Sequence, residues 1–329
     1  MWVVSAPEIG DEFGAAAEPH RRELLVHCYR MLGSVQDAED LVQETMLRAW
    51  RAYERFDPEL ASLRTWLYRI ATNACLTAVE GRARRPLPSG VGQAFDDADA
   101  GFVPGFEVPW LQPIPDRLLG SAPDDPAVLA SERSGLRLAL VAAFQLLPAK
   151  QRAALILRDV LGFSAAEVAD VLGVSTAAVT SALQRARRTL AGSGLHIDMS
   201  KESEPAQREI VDRYVAAFER ADVHGIAQLL AEDVVLEMPP MWNWYVGPSA
   251  YSRFMTRVFT TRGEDWRSVP IDANRQPAMV AYARQGDHYQ LHTLQVFTVE
   301  GGAIVRTTVY QEPEVFALFE LPEVFDEPR

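Results

Sequence analysis

Residues 164–188 read SAAEVADVLGVSTAAVTSALQRARR, a stretch ending in three arginines within a chain of 329 residues whose formal net charge is -13. Ser164 and Glu167 have the S-x-x-E spacing of a capping box, in which hydroxyl and carboxylate satisfy amides left free at a helix start. Val168, Val171 and Leu172 then recur at helical spacing up to Gly173, the residue type that best tolerates the left-handed conformation ending a helix. Ser175 is placed to cap a second helix, with Val179, Leu183 and Leu190 on one face. Ala177, Thr180, Ser181, Gln184 and Arg188 fall on the other, which is small, then polar, then basic. Two short helices around a tight turn give a helix-turn-helix, whose second helix enters a DNA major groove. A helical hairpin with a solvated arginine end is the other reading of this stretch alone.

Working outward, LALVAAFQLLPAKQRAALILRDVLGF supplies two more amphipathic helices broken at Leu147-Pro148, so a helical domain is expected over 133–192. Residues 20–85 have the same character in HRRELLVHCYRMLG, DAEDLVQETMLRAWRAYERF and LRTWLYRIATNACLTAVEGRARR. Asp37 is a candidate cap for the middle helix, and Asp40 and Glu44 form an acidic edge beside Ala38, Leu41, Val42 and Met46. Charge follows this division. Residues 19–85 carry 11 basic and 9 acidic side chains and 133–190 carry 8 and 3, whereas 86–132 carry 1 and 8 and 204–329 carry 11 and 19. Two positive islands in an acidic chain point to two nucleic-acid contacts joined by an acidic linker.

DAEDLVQETMLRAW, TWLYRIATNAC and the block LLPAKQRAALILRDVLGFSAAEVADVLGVSTAAVTSALQRARRTL together resemble a bacterial RNA polymerase sigma factor of the extracytoplasmic-function group, which keeps only regions two and four. The resemblance spans about residues 20–85 and 130–192, with the motifs in the family's order and separation. It implies that Asp37, Asp40, Leu41, Gln43 and Glu44 dock on the clamp helices of the polymerase beta-prime subunit. The stretch from Phe56 to Asn73 then corresponds to the loop and helix that open the -10 element, with Asn73 reading a flipped base, Phe56 lining the loop, and Trp66 and Arg69 beside them. Such a pocket must offset a few kcal/mol of unstacking by stacking and hydrogen bonding. Aromatics at helical spacing more often belong to a core, and Trp66 reads first in that way. Arg82, Arg84 and Arg85 suit backbone phosphates, where charge adds affinity but no sequence information.

In the second island the resemblance assigns -35 recognition to Ser175, Thr176, Thr180, Ser181, Gln184, Arg185, Arg187 and Arg188, with Gln184 and Arg188 foremost as base readers. Helices between Leu136 and Leu161 would meet the flap of the beta subunit.

Residues 86–132 begin PLPSGVGQAFDDADAGF, are rich in proline, glycine and aspartate, and lack sustained periodicity, so an extended linker is expected. Within it WLQPIPDRLL, with Trp110, resembles a motif of family members that carry an extra C-terminal domain; internal docking and solvation both remain open for it. After residue 203, EPAQREIVDRYVAAFERADVHGIAQLL and GPSAYSRFMTRVF read as helices. DVVLEMPP, SVPIDANRQ, PAMVAYARQ, HYQLHTLQVFTVE and GAIVRTTVYQEP read as strands, with a hairpin at Gly301-Gly302. This order and the aromatic PPMWNWYVG resemble the cone-shaped SnoaL-like and ketosteroid-isomerase-like domains, also called NTF2-like. Glu237, Trp242, Trp244, Tyr245, His288, His292 and Tyr310 are candidates to line its pocket.

The expected architecture is therefore multidomain. An N-terminal extension (1–18) precedes two all-α domains that bind polymerase and DNA (19–85 and 133–192), the second a helix-turn-helix; the acidic linker joins them, and an α+β NTF2-like domain follows (204–329). The implied function is a sigma factor directing core RNA polymerase to promoter DNA, with the C-terminal domain regulating it through a small-molecule ligand or an intramolecular contact. Two alternatives stand beside it: a SnoaL-like enzyme with a helical regulatory half, and a helix-turn-helix regulator independent of polymerase. Ketosteroid isomerases need a carboxylate base facing acidic oxyanion donors. Glu237 has no such donor beside it in the sequence, so no catalytic residue is assigned. Cys28 and Cys75 stand apart from any CxxC or His/Cys cluster and are expected to be buried thiols, and no metal or cofactor is expected. No run of about 18 apolar residues and no signal-like start occurs, so a cytoplasmic protein with no membrane contact is expected.

Overall fold

Gly33, with φ of 70°, ends one helix and Ser34, whose hydroxyl accepts from the Asp37 amide, starts the next. The cap is thus Ser34 and not Asp37, which sits in the first turn. The structure is a computed structural model and describes residues 6–81, 83–120, 135–191 and 204–325. These fall into two units, one built from the described parts of 6–85 and 117–191, the other from 86–116 and 204–325.

In the first unit, helices α1 (Ala6–Ala17), α2 (Arg21–Leu32), α3 (Val35–Ala52) and α4 (Leu63–Val79) precede α5 (Leu138–Gln145) and α6 (Ala149–Leu155). A π-turn at Ile156–Val160 leads to α7 (Ala165–Leu172) and α8 (Thr176–Ala191). Each helix buries the stripe that its spacing dictates. Leu24, Cys28 and Tyr29 of α2, Ala38 and Val42 of α3, and Leu67, Ala71 and Cys75 of α4 are all buried where these three helices pack together. At about 1.5–3 kcal/mol per large apolar side chain, these contacts outweigh helix propensity in holding the bundle. Both cysteines are free and buried, and the Cys28 hydrogen bond and burial push the Cys75 thiol well above its ordinary range.

The two helical segments pack as one body. Arg30 of α2 is 1% exposed and donates Nε to the Gly135 carbonyl at 3.0 Å. Arg152 of α6 donates to the Met31 carbonyl and, at 2.7 Å, to Gln145 Oε1, and burial lowers its pKa to about 10. A buried guanidinium is tolerable only when carbonyls take up its N–H groups, which locks α6 onto α2.

In the second unit, seven strands form one sheet: β1 (Leu230–Glu237), β2 (Trp244–Val246), β3 (Trp266–Ala273), β4 (Gln276–Gln285), β5 (His288–Glu300), β6 (Ala303–Tyr310) and β7 (Val324–Phe325). Their order is β2-β1-β6-β5-β4-β3, with β7 on β5; β1 and β6 run parallel and the other pairs antiparallel. Positive φ at Gly301 and Gly302 turns β5 into β6, and Asn274 and Arg275, each at φ 58°, turn β3 into β4. Helices α9 (Glu204–Glu219), α10 (Val223–Ala227) and α11 (Pro248–Arg262) close the core around Tyr214, Phe218, Tyr251 and Phe254; α12 (Pro313–Leu318) follows the sheet.

Residues 86–116 depart from the extended spacer expected of them and pack on this second unit. Trp110, Leu111 and Ile114 are at most 5% exposed. Their backbone groups pair with the sheet and its loops: Phe95 N to Trp244 O, Gly105 N to Pro240 O, Trp242 N to Val103 O and Asn274 N to Ile114 O, all 2.8–2.9 Å. Ile114 N in turn donates to Asn274 Oδ1 at 2.9 Å. A chain without secondary structure of its own can be buried only when its backbone finds partners in this way. Gly105 marks the tightest approach, where an added Cβ would lie 2.8 Å from the Trp242 ring and 2.9 Å from Trp110.

Candidate functional site

The capping box at Ser164 forms as its sequence dictates, with Ser164 N donating to Glu167 at 2.7 Å and Glu167 N donating to the Ser164 hydroxyl. That bond to the Ser164 amide holds the Glu167 carboxyl below its usual range. Gly173, at φ 63°, ends α7, Ser175 Oγ accepts from Ala178 N, and α8 leaves at 97° to α7. The angle falls in the helix-turn-helix range. Val179, Leu183, Ala186 and Leu190 are buried, whereas Ser175, Thr176, Thr180, Ser181, Gln184, Arg185, Arg187 and Arg188 are all exposed. Arg187 is already committed: Asp159 holds it through two bonds of 2.8 and 3.0 Å. Gln184, Arg185 and Arg188 are the long polar side chains free to reach outward from α8.

On α4, Ser62 caps the start, and Trp66, Arg69, Asn73 and Thr77 follow one face at spacings of three and four. Asn73 and Arg69 are exposed. Phe56 packs on Trp66 with ring centroids 5.0 Å apart, and Tyr53 stacks on Phe56 at 6.1 Å. Trp66 therefore forms half of an aromatic step, two helical turns before Asn73, and is only partly buried, neither wholly core nor wholly free. The same helix meets the helix-turn-helix. Arg69 Nη1 lies 3.4 Å from Asp170, and Arg64, which donates to Glu23 at 2.8 Å, stacks 4.9 Å from both Tyr68 and Phe163. Burial and the Glu23 charge push the Tyr68 phenol above its ordinary range.

Of the basic cluster after α4, Arg84 is exposed and Arg85 binds Asp37 at 2.8 Å; Arg82 lies outside the described residues. On α3, Asp40 and Gln43 are exposed, Glu44 pairs with Arg48 at 2.6 Å, and Leu41 is half-buried. The sequence reading passed over Leu47 and Trp50, 48% and 46% exposed. Large apolar groups three residues after Glu44 and again three after Leu47 extend the acidic edge into a mixed surface, a signal visible in the spacing.

The second unit holds a cavity of about 130 Å³ between α9, α11 and the sheet, lined among others by Phe218, Phe254, Met255 and Val258, with Arg257, Arg262 and His292. Of the seven pocket residues expected from the sequence, His292 alone lines it. Glu237 is fully buried but bound to Arg306 at 2.7 Å and to the Ser89 hydroxyl at 2.6 Å, with Thr308 at 3.2 Å, so its carboxylate is a structural anchor for residue 89. Trp242 packs edge-on to Trp110 at 5.1 Å and Trp244 O accepts from Phe95 N, both serving the packed 86–116 segment. Tyr245 and Tyr310 are buried in the core, and His288 opens β5, half-exposed beside Asp287 of the preceding turn. Burial, with the charge of Arg262, lowers the His292 pKa to about 4, so its ring is neutral at pH 7. The cavity residues missed include strand positions such as Leu236, Gln295 and Val309, whose side of the sheet depends on pairing, and a helical set that the spacing does show: Tyr214 and Phe218, then Tyr251, Phe254, Met255 and Val258, recur at three and four and mark the inner faces of α9 and α11. Among the described residues no cluster of metal-ligating side chains occurs, and no single helix is long and apolar enough to cross a membrane.

Comparison with known proteins matches these parts in turn. The sigma-70 region 2 family model matches residues 16–85, the sigma-70 region 4 model residues 137–190, and the SnoaL-like domain model residues 211–307. The ECF RNA polymerase sigma factor SigG of Mycobacterium tuberculosis (strain ATCC 25618 / H37Rv) is 44% identical over 322 residues, which cover 97% of this chain and 86% of the relative. SigJ of the same strain is 32% identical over 221 residues, 66% of this chain and 62% of its own. The crystal structure of Mycobacterium tuberculosis SigJ superimposes with a TM-score of 0.64 at 23% identity, covering 94% of this chain and 99% of that one, which shows a common fold. With region 2, region 4 and a helix-plus-sheet SnoaL-like domain in one chain, this protein belongs to the ECF RNA polymerase sigma factors.

Proposed function

We propose that this sigma factor works in the cytoplasm, where it binds core RNA polymerase through α3 and places α4 and α8 on the -10 and -35 elements of a promoter. The observation that carries this reading is the wholly exposed polar face of α8, set at 97° to a capped α7. Gln184 and Arg188 have the donors and acceptors to read base edges, and Arg185 reaches phosphates. Asn73, exposed on the same face of α4 two turns beyond Trp66, has the chemistry to hold an unstacked base. Arg84 adds phosphate contact. Asp40, Gln43 and Glu44, with Leu47 and Trp50, form the polymerase surface, a charged edge around an apolar centre.

The C-terminal domain regulates by binding and does not catalyse. The commitment of Glu237 to Arg306 and Ser89 supports this, since a general base needs a free carboxylate facing substrate. What the domain binds in this structure is the chain's own segment 86–116. In vitro transcription with core polymerase and a genomic promoter library, comparing the full chain with residues 1–200, tests the reading. Initiation by both at the same promoters with different yield is the expected result. Absence of specific initiation by either refutes it.

A further inference from the structure

The cavity of the second unit has polar groups of two kinds, and their placement selects a ligand. Deep inside, the hydroxyls already satisfy one another. Tyr214 and Tyr251 share a hydrogen bond of 2.8 Å, Tyr251 donates to Thr307 at 3.0 Å, and Gln295 Nε2 donates to Thr293 at 3.2 Å. What remains for an occupant there is apolar surface from Phe218, Phe254, Met255 and Val258. A volume of about 130 Å³ is close to the ~150 Å³ of an apolar cavity that takes up benzene, so the space suits one ring.

At the mouth the chemistry changes sign. Residues 204–329 carry 19 acidic and 11 basic side chains, yet among the described residues the cavity wall holds two arginines and no carboxylate. Arg257 is engaged, donating to the carbonyls of Ala98 at 2.7 Å and Ala100 at 2.6 Å under the ring of Phe102, 4.5 Å away. Arg262, in the last turn of α11, makes no ion pair or hydrogen bond among the described residues, and neither does the neutral ring of His292 beside it. Phe102, half-exposed, lines the same opening edge-on to Phe254 at 6.2 Å.

We propose that this cavity binds a small organic acid of about one ring, the ring enclosed by Phe254, Met255 and Val258 and the carboxylate held at the mouth by Arg262 and His292. Phe102 and Arg257 stand at the same opening, so an entering acid meets the clamp that fastens residues 98–102 to the domain. A carboxylate is a stronger acceptor for a guanidinium than a backbone carbonyl, and occupancy therefore loosens that clamp. This last step rests on the regulatory reading of the domain; the binding itself does not.

Equilibrium dialysis of the full chain tests the site with benzoate, phenylacetate and cyclohexanecarboxylate, each against the alcohol of the same skeleton. At least one acid is expected to bind tenfold or more tightly than its alcohol, which is about 1.4 kcal/mol. Arg262→Gln, on an exposed residue, is expected to remove that preference while leaving alcohol binding unchanged, and Val258→Trp to lose both ligands. Equal binding of every acid and its alcohol, no binding of any, or an acid preference that survives Arg262→Gln overturns the proposal. Transcription with the same protein separates it from the regulatory reading: acid binding that leaves promoter-specific yield unchanged sinks the coupling to the 98–102 clamp and keeps the site.

Discussion

Arg69 of α4 and Asp170 of the helix-turn-helix lie 3.4 Å apart, so a side chain proposed for promoter contact is engaged by region 4 of the same chain. Both are about half exposed, 51% and 56%, and an exposed ion pair contributes at most about 1 kcal/mol. Its consequence lies in availability more than stability. Asp170→Asn is expected to change stability by no more than about 0.5 kcal/mol and to raise the affinity of the free protein for -10 DNA. Urea denaturation and fluorescence anisotropy on a single-stranded -10 oligonucleotide check the two halves. An unchanged affinity would mean that Arg69 is no part of the DNA surface.

The residues proposed for promoter contact divide into base readers, such as Gln184 on α8, and charge carriers, such as Arg84 after α4, and the two are expected to fail differently. Gln184→Ala is expected to cost about 1–3 kcal/mol at one -35 base pair and nothing at promoters already altered there. Arg84→Ala is expected to weaken every promoter alike and to lower the salt slope of binding by about 1. Holoenzyme binding to a panel of single-base -35 variants, at several salt concentrations, distinguishes them. A Gln184 variant that weakens all promoters equally would reassign it to phosphate contact.

Much of this architecture was legible because it depends on local chemistry. The Ser164/Glu167 box, the Gly173 stop and the buried stripe of Val179, Leu183 and Leu190 need only residues a few positions apart, and each forms as read. The Gly301-Gly302 hairpin is equally local. What was illegible depends on partners distant in sequence. Arg187 reads as a DNA contact until Asp159, 28 residues away, is seen to hold it. Glu237 reads as a possible cavity acid until Arg306 and Ser89 arrive from 69 and 148 residues away. Segment 86–116 has no period because it pairs its backbone with loops and a sheet edge, and such pairing imposes no side-chain rhythm.

Two histidines give the protein a pH dependence of defined sign. His27 is buried, its Nε2 is 2.9 Å from the Thr72 hydroxyl, and burial together with Arg30 and Arg64 lowers its pKa to about 3. The unfolded chain, with an ordinary pKa near 6.5, takes up a proton that the native state refuses between these values. Stability from this group is therefore complete above about pH 6.5 and declines as pH falls towards 3. Between pH 7 and pH 5 the loss is about 2 kcal/mol. His292, lowered to about 4, acts in the same direction in the second unit. Urea midpoints should fall over this range, and His27→Gln should flatten the fall for the helical unit. An equal slope in that variant would show that other groups carry the dependence.

Glu237 permits a test that separates anchoring from catalysis. Its carboxylate is 0% exposed, accepts from Arg306, Ser89 and Thr308, and so joins β1, β6 and the start of the packed segment. Removing one member of a buried pair leaves the other uncompensated, at a cost of about 3–5 kcal/mol. Glu237→Gln keeps the shape and loses the charge, so the C-terminal unit should become less stable and the amides near Ser89 should exchange faster with solvent. A carboxylate kept for catalysis behaves in the opposite way, because sites poised for chemistry are strained and their neutral variants tend to be more stable. Hydrogen exchange and thermal unfolding of the full chain report the two outcomes independently. A gain in stability with unchanged exchange at Ser89 would make Glu237 a candidate for a reacting group.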